Sequence, residues 1–279
     1  MIPQRSEFHV DVKGGEANAV DLLAECSGLS KQRIKMAMQR GAVWLTSRGS
    51  CRRIRRAKKT LKAGDELDFY YDERVLLSEP TAPQMIADEG DYSLWYKPYG
   101  LLSQGSRWGD HCTVSRWAEQ RLSPERVSFI IHRLDRAATG LILIGHTKKA
   151  AAALSNLFQS RAIEKRYQVV VEGAFPERPS PYTIDARIDG KTAISHVTLI
   201  SFDAEQQRSL LSVQIETGRK HQIRRHLAES GYAVVGDRLY GSGEGKENLQ
   251  LTACYLAFKC PLSGKQRHYR LADALLPQL

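Results

Sequence analysis

The sequence contains no long apolar run and no secretory leader. Its densest apolar patch, LILI at 141–144, is far shorter than the ~20 residues that span a bilayer, and it suits a buried strand. The first residues, MIPQRSEFHVD, lack the apolar core of a signal peptide. We therefore expect a cytoplasmic protein that binds no membrane, and we expect its five cysteines to remain free thiols.

Signatures of several enzyme classes are also missing. The chain has no CxxC pair, and Cys254, Cys260 and His268 are spaced too loosely for a zinc site, so no metal is predicted. The GKT at 190–192 imitates the end of a phosphate-binding loop, but Asp185 stands where that loop needs glycine. The GxSxG motif is absent as well. Serine hydrolysis and nucleotide binding through a phosphate loop therefore have no support.

Acidic residues are missing from one long segment. Residues 31–62 hold 12 of the 41 Lys and Arg and no Asp or Glu, which leaves 29 basic against 31 acidic residues elsewhere. The net charge of +10 therefore comes from this block, whose self-repulsion a polyanion would relieve. Because the block lacks the broad apolar face of a membrane-surface helix, nucleic acid is the preferred partner. Apolar residues threaded through it indicate a folded basic face rather than a disordered tail. The candidate nucleic-acid contacts are Lys31, Arg33, Lys35, Arg52, Arg53, Arg55, Arg56, Lys58 and Lys59.

Residues 8–72 are predicted to form a small domain. The predicted elements are, in order, helix 17–26, helix 30–40, strand 42–46, a basic loop and extended segment at 48–62, and strand 66–71. Gly28 and Gly41 are placed to end the two helices, and Ser30 to cap the second. The stretches SGLSKQRIKMAMQRGAVWL and LKAGDELDFYY resemble the αL RNA-binding module of the ribosomal-protein S-four type. Where that module usually has Arg-Leu-Asp and Val-Asn-Gly, this chain has AVD and WLT.

Residues 73–91, which include prolines and several acidic residues, are predicted to form a linker, and residues 92–279 a second domain. Strands are predicted at 92–96, 127–131, 141–145, 167–171, 195–201, 209–215 and 249–258, and helices at 113–121, 148–160 and 220–230. Strands outnumber helices and often follow one another directly. The expected fold class is therefore α+β, with a mixed, largely antiparallel sheet.

Three stretches of the second domain concentrate charged and aromatic residues: IHRLDRAATGL at 131–141, AIEKRY at 162–167 and ETGRKHQIRRH at 216–226. Taken singly, each has a plain alternative: a turn held by an Arg–Asp pair, a strand start with a half-buried tyrosine, or a solvated basic helix face. Together they fit one chemistry. A carboxylate flanked by guanidiniums stays ionised and can act as a nucleophile or stabilise positive charge at an anomeric carbon. A tyrosine can stack on a base while arginines hold phosphates, which suits glycosidic-bond chemistry on RNA.

The order of these motifs resembles the RluA-type RNA pseudouridine synthases. HRLDRAATGL at 132–141 is similar to the family's HRLDRxTSGL, and the tyrosine of KRY follows it as in the family. TGRKHQIR at 217–224, GDRLYG at 236–241 and KPYGL at 97–101 resemble three further family motifs. Ala138 and Thr139 replace the usual Thr-Ser, and LTA at 251–253 replaces the usual Leu-His-Ala.

The resemblance implies an enzyme that isomerises uridine in RNA, preferably ribosomal RNA, to pseudouridine. It implies no cofactor, because the reaction involves neither redox change nor net hydrolysis. The implied catalytic residues are Asp135, Tyr167 and Arg219, with Arg219 pairing with Asp135 and Tyr167 stacking on the uracil. The implied substrate-binding residues are His132, Arg133, Arg136, Ile223 and Arg224. In this account Arg133 fills the space that the flipped uridine leaves, and the protein is a monomer.

Two other functions agree with parts of the same sequence pattern. A non-catalytic RNA-binding protein on a degenerate synthase scaffold would use the basic block, but it would not need the carboxylate, tyrosine and arginine as a set. An RNA or nucleotide glycosidase would use the same carboxylate and release the base. Transfer RNA also stays open as a substrate.

Overall fold

A computed structural model describes residues 5–15, 17–177, 180–242 and 247–279. The chain divides into two compact units. The first comprises the described residues up to Pro80 together with Gln104–Trp117, and the second comprises Thr81–Ser103 and the described residues from Ala118 to Leu279. Within the ranges described, no helix has both the length and the apolar character that crossing a bilayer requires.

The first unit combines a four-stranded sheet with the helices α1 and α2 and the short helix α3. Its elements are β1 (Arg5–Asp11), β2 (Ala17–Asn18), α1 (Ala19–Ser27), α2 (Lys31–Gln39), β3 (Val43–Ser47), β4 (Ser50–Arg53), β5 (Thr60–Leu61), β6 (Glu66–Asp72) and α3 (Glu73–Leu76). The sheet order is β1-β6-β3-β4, and β2 pairs separately with β5. Gly28 adopts a left-handed φ of 69° where α1 ends, and the Ser30 hydroxyl accepts the Arg33 N–H at 3.3 Å to cap α2. The two helix boundaries follow the capping signals of the sequence.

A continuous core holds the basic block in a folded state. Leu67 and Phe69 alternate inward along β6, and Ile34 and Met38 project into the same core from α2. All four side chains are fully buried, so the segment 31–62 is built around apolar residues. The expectation of a folded basic face, rather than a disordered tail, is confirmed.

The boundary between the units differs from the predicted one. The segment 73–91, predicted as a linker, contains α3 and a strand, β7 (Gln84–Asp88), which joins the sheet of the second unit. The segment 104–117, predicted in the second domain, packs instead with the first unit. Asp110 binds the guanidiniums of Arg53 and Arg55 at 3.3 and 2.5 Å, and Trp44 donates to a carbonyl of the same segment. These long-range contacts explain the assignment and leave no trace in the local sequence pattern.

The second unit is built on one large sheet. Besides β7, its elements are β8 (Tyr92–Lys97), β9 (Phe129–Ile130), β10 (Thr139–Gly145), α5 (Lys148–Gln159), β11 (Ile163–Glu172), β12 (Tyr182–Asp185), β13 (Ile194–Asp203), β14 (Arg208–Ile215), α6 (Gln222–Glu229), β15 (Leu251–Lys259) and β16 (Gln266–Arg270), and α4 (Val114–Arg121) spans the boundary of the units. The order is β12-β13-β14-β11-β15-β10-β8-β7, with β16 beside β15 and β9 beside β10. Over the described residues, only β10 and β15 pair in parallel. The predicted α+β class with a mixed, largely antiparallel sheet is confirmed.

The parallel pairing of β10 and β15 depends on a glycine. Gly140 has a φ of 114°, and a Cβ added there would lie 2.3 Å from the Ala253 carbonyl oxygen. Only glycine permits this approach at that φ. The adjacent Thr139 and Thr252 hydroxyls hydrogen-bond at 2.7 Å. The two departures from the family pattern noted above therefore contact each other, at the start of the strand that follows the Asp135 loop.

Candidate active site

Asp135 lies in the loop between β9 and β10. The buried Lys97 holds that loop through hydrogen bonds to backbone carbonyls. The Lys97 ammonium donates to the carbonyl oxygens of Pro98, Leu101 and Arg136 at 3.1, 2.9 and 3.2 Å. Burial lowers the pKa of Lys97 to about 7, and the nearby Asp135 carboxylate opposes that shift. The lysine thus fixes the backbone of the residue next to Asp135 while the Asp135 side chain stays 27% exposed.

Two cationic or protonatable side chains face the Asp135 carboxylate. Arg224 Nη1 lies 3.5 Å from Asp135 Oδ2, and His221 Nε2 lies 3.8 Å from Oδ1. The Asp135 carboxylate therefore lies within ion-pair distance of one guanidinium and one imidazole while remaining partly exposed to solvent.

Arg224 is itself held by a second, fully buried carboxylate. Its Nε and Nη2 donate to Asp237 Oδ2 and Oδ1 at 2.7 and 2.6 Å, which is a bidentate pair. Burial works against the charge of Arg224, but the hydrogen bonds to Asp237 raise its pKa. Burial likewise opposes ionisation of Asp237, and the hydrogen bond from Arg224 lowers the pKa of Asp237. The guanidinium is therefore permanently charged and fixed in direction toward Asp135.

The predicted pairing of Arg219 with Asp135 is wrong. Arg219 precedes α6 and donates through Nε to the Thr192 carbonyl at 2.9 Å, although it lines the same cavity as Asp135. Arg224, predicted only to bind substrate, is the partner because it stands in the first turn of α6, beside the buried Ile223. The buried face of α6 carried a usable signal, since the helical spacing of Ile223 and Leu227 places position 224 on the inward side.

A cavity of about 100 Å³ opens beside Asp135. Its lining includes Arg133, Asp135, Tyr167, Ile215, Arg219, Ile223, Arg224 and Leu251. Tyr167 comes from β11, and burial, followed by the charge of Asp135, raises the pKa of its hydroxyl above the usual range. The tyrosine is therefore a neutral aromatic surface. The cavity combines one carboxylate, three guanidiniums and apolar walls, which suits a small planar ring.

Gln222 fastens the segment before α6 to the sheet. Its Oε1 accepts from the Thr217 hydroxyl at 2.7 Å and from the Arg219 N–H at 3.1 Å. Its Nε2 donates to the Ile194 carbonyl and the Ser195 hydroxyl at 2.9 and 3.1 Å. This buried amide uses both its donor and its acceptor, so it fixes where α6 begins. The motif at 217–224 contains Gln222, but the sequence pattern alone does not indicate that this residue positions α6.

His221 connects Asp135 to the GDRLYG turn. It adopts a left-handed φ of 55°, which is uncommon outside glycine, and its Nδ1 lies 3.0 Å from the Tyr240 hydroxyl. Tyr240 also faces Arg224, whose guanidinium carbon lies 5.2 Å from the ring centroid. His221, Arg224 and Tyr240 thus form one contact group around the carboxylate.

The other predicted substrate-binding residues separate into two groups. Arg133 is exposed and lines the cavity, and Arg136 is exposed with Nε donating to the Gly100 carbonyl at 3.3 Å. His132 does not line the cavity, which corrects its expected contact with substrate. Its Nε2 accepts the Leu143 N–H at 3.0 Å, and its ring stacks on Phe158 at 4.2 Å. Burial lowers the pKa of His132 to about 3, so the ring is a neutral packing residue.

The basic residues of the first unit also differ in role. Arg53 and Arg55 are half-buried on Asp110, and Arg53 stacks over Trp44 at 4.2 Å, so these two predicted RNA contacts stabilise the unit itself. The predicted contacts with exposed side chains are Lys31, Arg33, Lys35, Arg52, Arg56 and Lys58. A cleft of about 400 Å³ is lined by four basic residues and one acidic residue, together with small polar side chains: Arg48, Arg52, Lys59, Lys62 and Asp65. The concentration of positive charge in this cleft fits a polyanion.

The chain belongs to the RNA pseudouridylate synthase family. The model of that family matches residues 91–229, which contain the Asp135 loop, Tyr167 and the start of α6. An uncharacterised RNA pseudouridine synthase of Chloroflexus aurantiacus is 36% identical over 173 residues, 56% of this chain and 53% of the relative. The ribosomal large subunit pseudouridine synthase D of Zymomonas mobilis is 29% identical over 174 residues, 53% of each chain. This chain therefore spans about half the length of both relatives.

A solved structure, human RNA pseudouridylate synthase domain containing 1, shares the fold. It has a TM-score of 0.60 and 21% sequence identity, and the match covers 72% of this chain and 88% of the human one. At that identity the comparison supports the architecture alone.

Proposed function

We propose that this protein converts a uridine of ribosomal RNA to pseudouridine, with Asp135 as the essential carboxylate. One observation carries the proposal: Asp135 lies beside the fixed guanidinium of Arg224 at the mouth of a cavity whose other walls include Tyr167 and Ile223. An ionised carboxylate next to an apolar, aromatic slot suits chemistry at the bond between a pyrimidine and its sugar.

In this proposal the bond between uracil N1 and ribose C1′ breaks, the base turns in place, and a bond forms between C5 and C1′. The C5 proton is lost and N1 gains a proton, so atoms and charge balance without a second substrate. Asp135 either attacks the sugar or removes a ribose proton. Tyr167 stacks on the uracil and Ile223 forms an apolar wall. Arg224 pairs with the carboxylate and orients it, while Arg219 is available to the RNA strand.

Access to the cavity requires a uridine outside a base stack. Extruding a base costs a few kcal/mol, least for a nucleotide in a loop or a mismatch. Arg133, two residues before Asp135, is exposed on the cavity rim. We propose that its side chain occupies the space that the uridine leaves. We therefore expect the target uridine to lie where the RNA can extrude it at low cost, as in a loop or beside a mismatch.

We also propose that the first unit is an αL RNA-binding module of the S-four type. Its support is the succession of α1, α2 and β3, followed by the basic hairpin and β6, with a cleft that presents Arg48, Arg52, Lys59 and Lys62. These side chains are suited to phosphates, whose contacts fix orientation without reading sequence. The module and the name of the Zymomonas relative, a ribosomal large subunit pseudouridine synthase, both favour ribosomal RNA over transfer RNA. We further propose that the protein is a monomer and acts in the cytoplasm.

Tritium release from RNA that carries [5-³H]uridine tests the proposal. Wild-type protein is expected to release tritium as water, and Asp135→Asn is expected to release none while retaining RNA binding. Asp185→Asn, which changes an exposed carboxylate at the end of β12, is the matched control and keeps its activity. Free uracil among the products would indicate a glycosidase, and RNA binding without either product would indicate a non-catalytic binder.

A further inference from the structure

A second cavity, of about 250 Å³, lies against the proposed catalytic one. Asp135, His221 and Arg224 line both cavities, so the two spaces share the wall that carries the reactive carboxylate. The second cavity has more than twice the volume of the first. Any nucleotide held there would lie next to a uridine held against Asp135.

The lining of this second cavity combines apolar surface with positive charge. Leu239 lies on its rim with 66% of its surface exposed, and Tyr99 contributes an aromatic side chain. Arg136 and Arg238, both exposed, also line it. An exposed leucine flanked by guanidiniums complements a ligand that has a flat, weakly polar face and a nearby anion. A nucleotide, with its base and its phosphate, has both.

The turn that presents Leu239 is rigid and is tied to the catalytic group. The backbone N–H groups of Leu239 and Tyr240 donate to Asp237 Oδ1 at 2.9 and 3.1 Å. The same carboxylate grips Arg224, which faces Asp135. Leu239 is therefore held at a fixed position relative to Asp135, although its side chain is in solvent. Because the backbone of the turn is already ordered, only the Leu239 side chain has to be ordered when a base covers it.

We propose that Leu239 and Arg238 form a subsite for the nucleotide that adjoins the target uridine in the RNA strand. This inference rests on the proposed function, because it assumes that the uridine binds beside Asp135. Leu239 covers one face of the neighbouring base, and Arg238 pairs with a phosphate of the same strand. The subsite adds affinity and fixes the strand, whereas Asp135 performs the chemistry.

The test compares single-stranded oligoribonucleotides that contain one uridine, with either intact bases or abasic riboses at the two flanking positions. Binding is measured with Asp135→Asn protein, so that no turnover interferes. In protein that retains Leu239, we expect loss of the flanking bases to weaken binding about tenfold, because the exposed leucine surface is then no longer buried under a base. With Leu239→Ser added, intact and abasic strands should bind within about twofold of each other, since the base has lost its contact.

Two further variants complete the design. Ile200→Ser removes another leucine-sized side chain that is 51% exposed, on β13, and should leave the abasic penalty intact. Arg238→Gln should weaken intact and abasic strands equally and lower the salt dependence of binding by about one phosphate contact. An abasic penalty that is equal with and without Leu239, or no penalty at all, would refute the subsite.

The binding experiment tests the subsite and the pseudouridine assay tests the reaction, so one proposal can fail while the other holds. If wild-type protein forms no pseudouridine but the abasic penalty depends on Leu239, the reaction is wrong and the subsite stands. If pseudouridine forms and the penalty is independent of Leu239, the subsite is wrong and the reaction stands.

Discussion

Replacing Asp237 with asparagine should damage both the fold and the chemistry, because the carboxylate supports the guanidinium that faces Asp135. The Asp237 side chain is 0% exposed and that of Arg224 is 5% exposed. Water therefore cannot reach the Arg224 guanidinium to solvate it once its charged partner is removed. Removing one partner of a buried ion pair costs about 3–5 kcal/mol, and an amide places a donor where Arg224 needs an acceptor. At roughly 2–4 °C per kcal/mol for a unit of this size, we expect Tm to fall by at least about 6 °C.

The pH dependence of this loss has a definite sign. Burial acts most strongly and raises the pKa of Asp237, but the hydrogen bond and charge of Arg224, together with the backbone N–H groups of Leu239 and Tyr240, leave that pKa lowered in the folded protein. Its stabilising contribution is therefore fully present above the unfolded value of about 4 and is lost as the pH falls through the lower folded value. The difference in Tm between wild type and Asp237→Asn should be constant near neutrality and should shrink below about pH 4.

Activity should fall independently of stability. With Asp237 neutralised, Asp135 is the ion-pair partner of Arg224 that remains among the described residues, so the guanidinium is expected to leave its present position and engage Asp135 more tightly. A more tightly engaged carboxylate is a poorer nucleophile or base, so kcat should fall more than KM rises. The assay is tritium release at 25 °C, well below the expected Tm of the variant.

An exposed ion pair formed by Arg225, the residue that follows Arg224 on α6, gives the control. Asp189 binds Arg225 at 2.9 Å with its side chain 70% exposed, and such surface pairs contribute little. Asp189→Asn should therefore leave both Tm and kcat nearly unchanged. If Asp237→Asn lowers Tm no more than Asp189→Asn does and keeps kcat within twofold, the proposed support of the catalytic pair is refuted.

Three further predictions concern other parts of the molecule. A lysine at position 224 cannot both keep the bidentate pair with Asp237 and reach Asp135, so kcat/KM of Arg224→Lys should fall on the order of a hundredfold. Arg219→Gln should lower kcat/KM less than tenfold. Equal losses would contradict the assignment of Arg224 as the partner of Asp135. Gly140→Ala forces a Cβ against the β15 backbone and should destabilise the protein by about 1–3 kcal/mol in urea unfolding, whereas no loss would show that the strands can separate there. Arg52→Gln and Lys62→Gln should each lower the salt slope of RNA binding by about one, without changing kcat on saturating RNA; an unchanged slope would remove the basic cleft from the interface.

The sequence predicted the elements whose signals are local. The caps at Ser30 and Gly28 place the first two helices nearly as observed, and the apolar run around 141–144 marks the central strand β10. The motifs at 132–141 and 217–224 do meet, because the loop before β10 and the start of α6 face one cavity.

What the sequence missed depends on long-range contacts. The strands β1 and β16 alternate exposed and half-buried residues at sheet edges, where the pattern of a strand is indistinguishable from that of a polar loop. The assignment of 104–117 to the first unit depends on Asp110 meeting Arg53 and Arg55, more than 50 positions earlier in the chain. No periodicity within either segment encodes that pairing.

The misassigned arginine has a more specific cause. Positions 219 and 224 both carry arginine within one motif, and charge alone cannot rank them. The distinction arises at His221, whose left-handed backbone ends the loop and starts α6, so that Arg219 is left outside while Arg224 turns inward. Asp237, which fixes the inward arginine, lies 13 residues further on and could be paired with it only in three dimensions.

The measurement that tests the central claim most directly is a pseudouridine map of ribosomal RNA from cells that lack this protein, complemented with wild type or with Asp135→Asn. We expect at least one modified uridine to disappear in the deletion strain, to return with the wild-type chain, and to stay unmodified with equal amounts of the variant. Restoration by Asp135→Asn, or a ribosomal RNA map identical in all strains, would contradict the account.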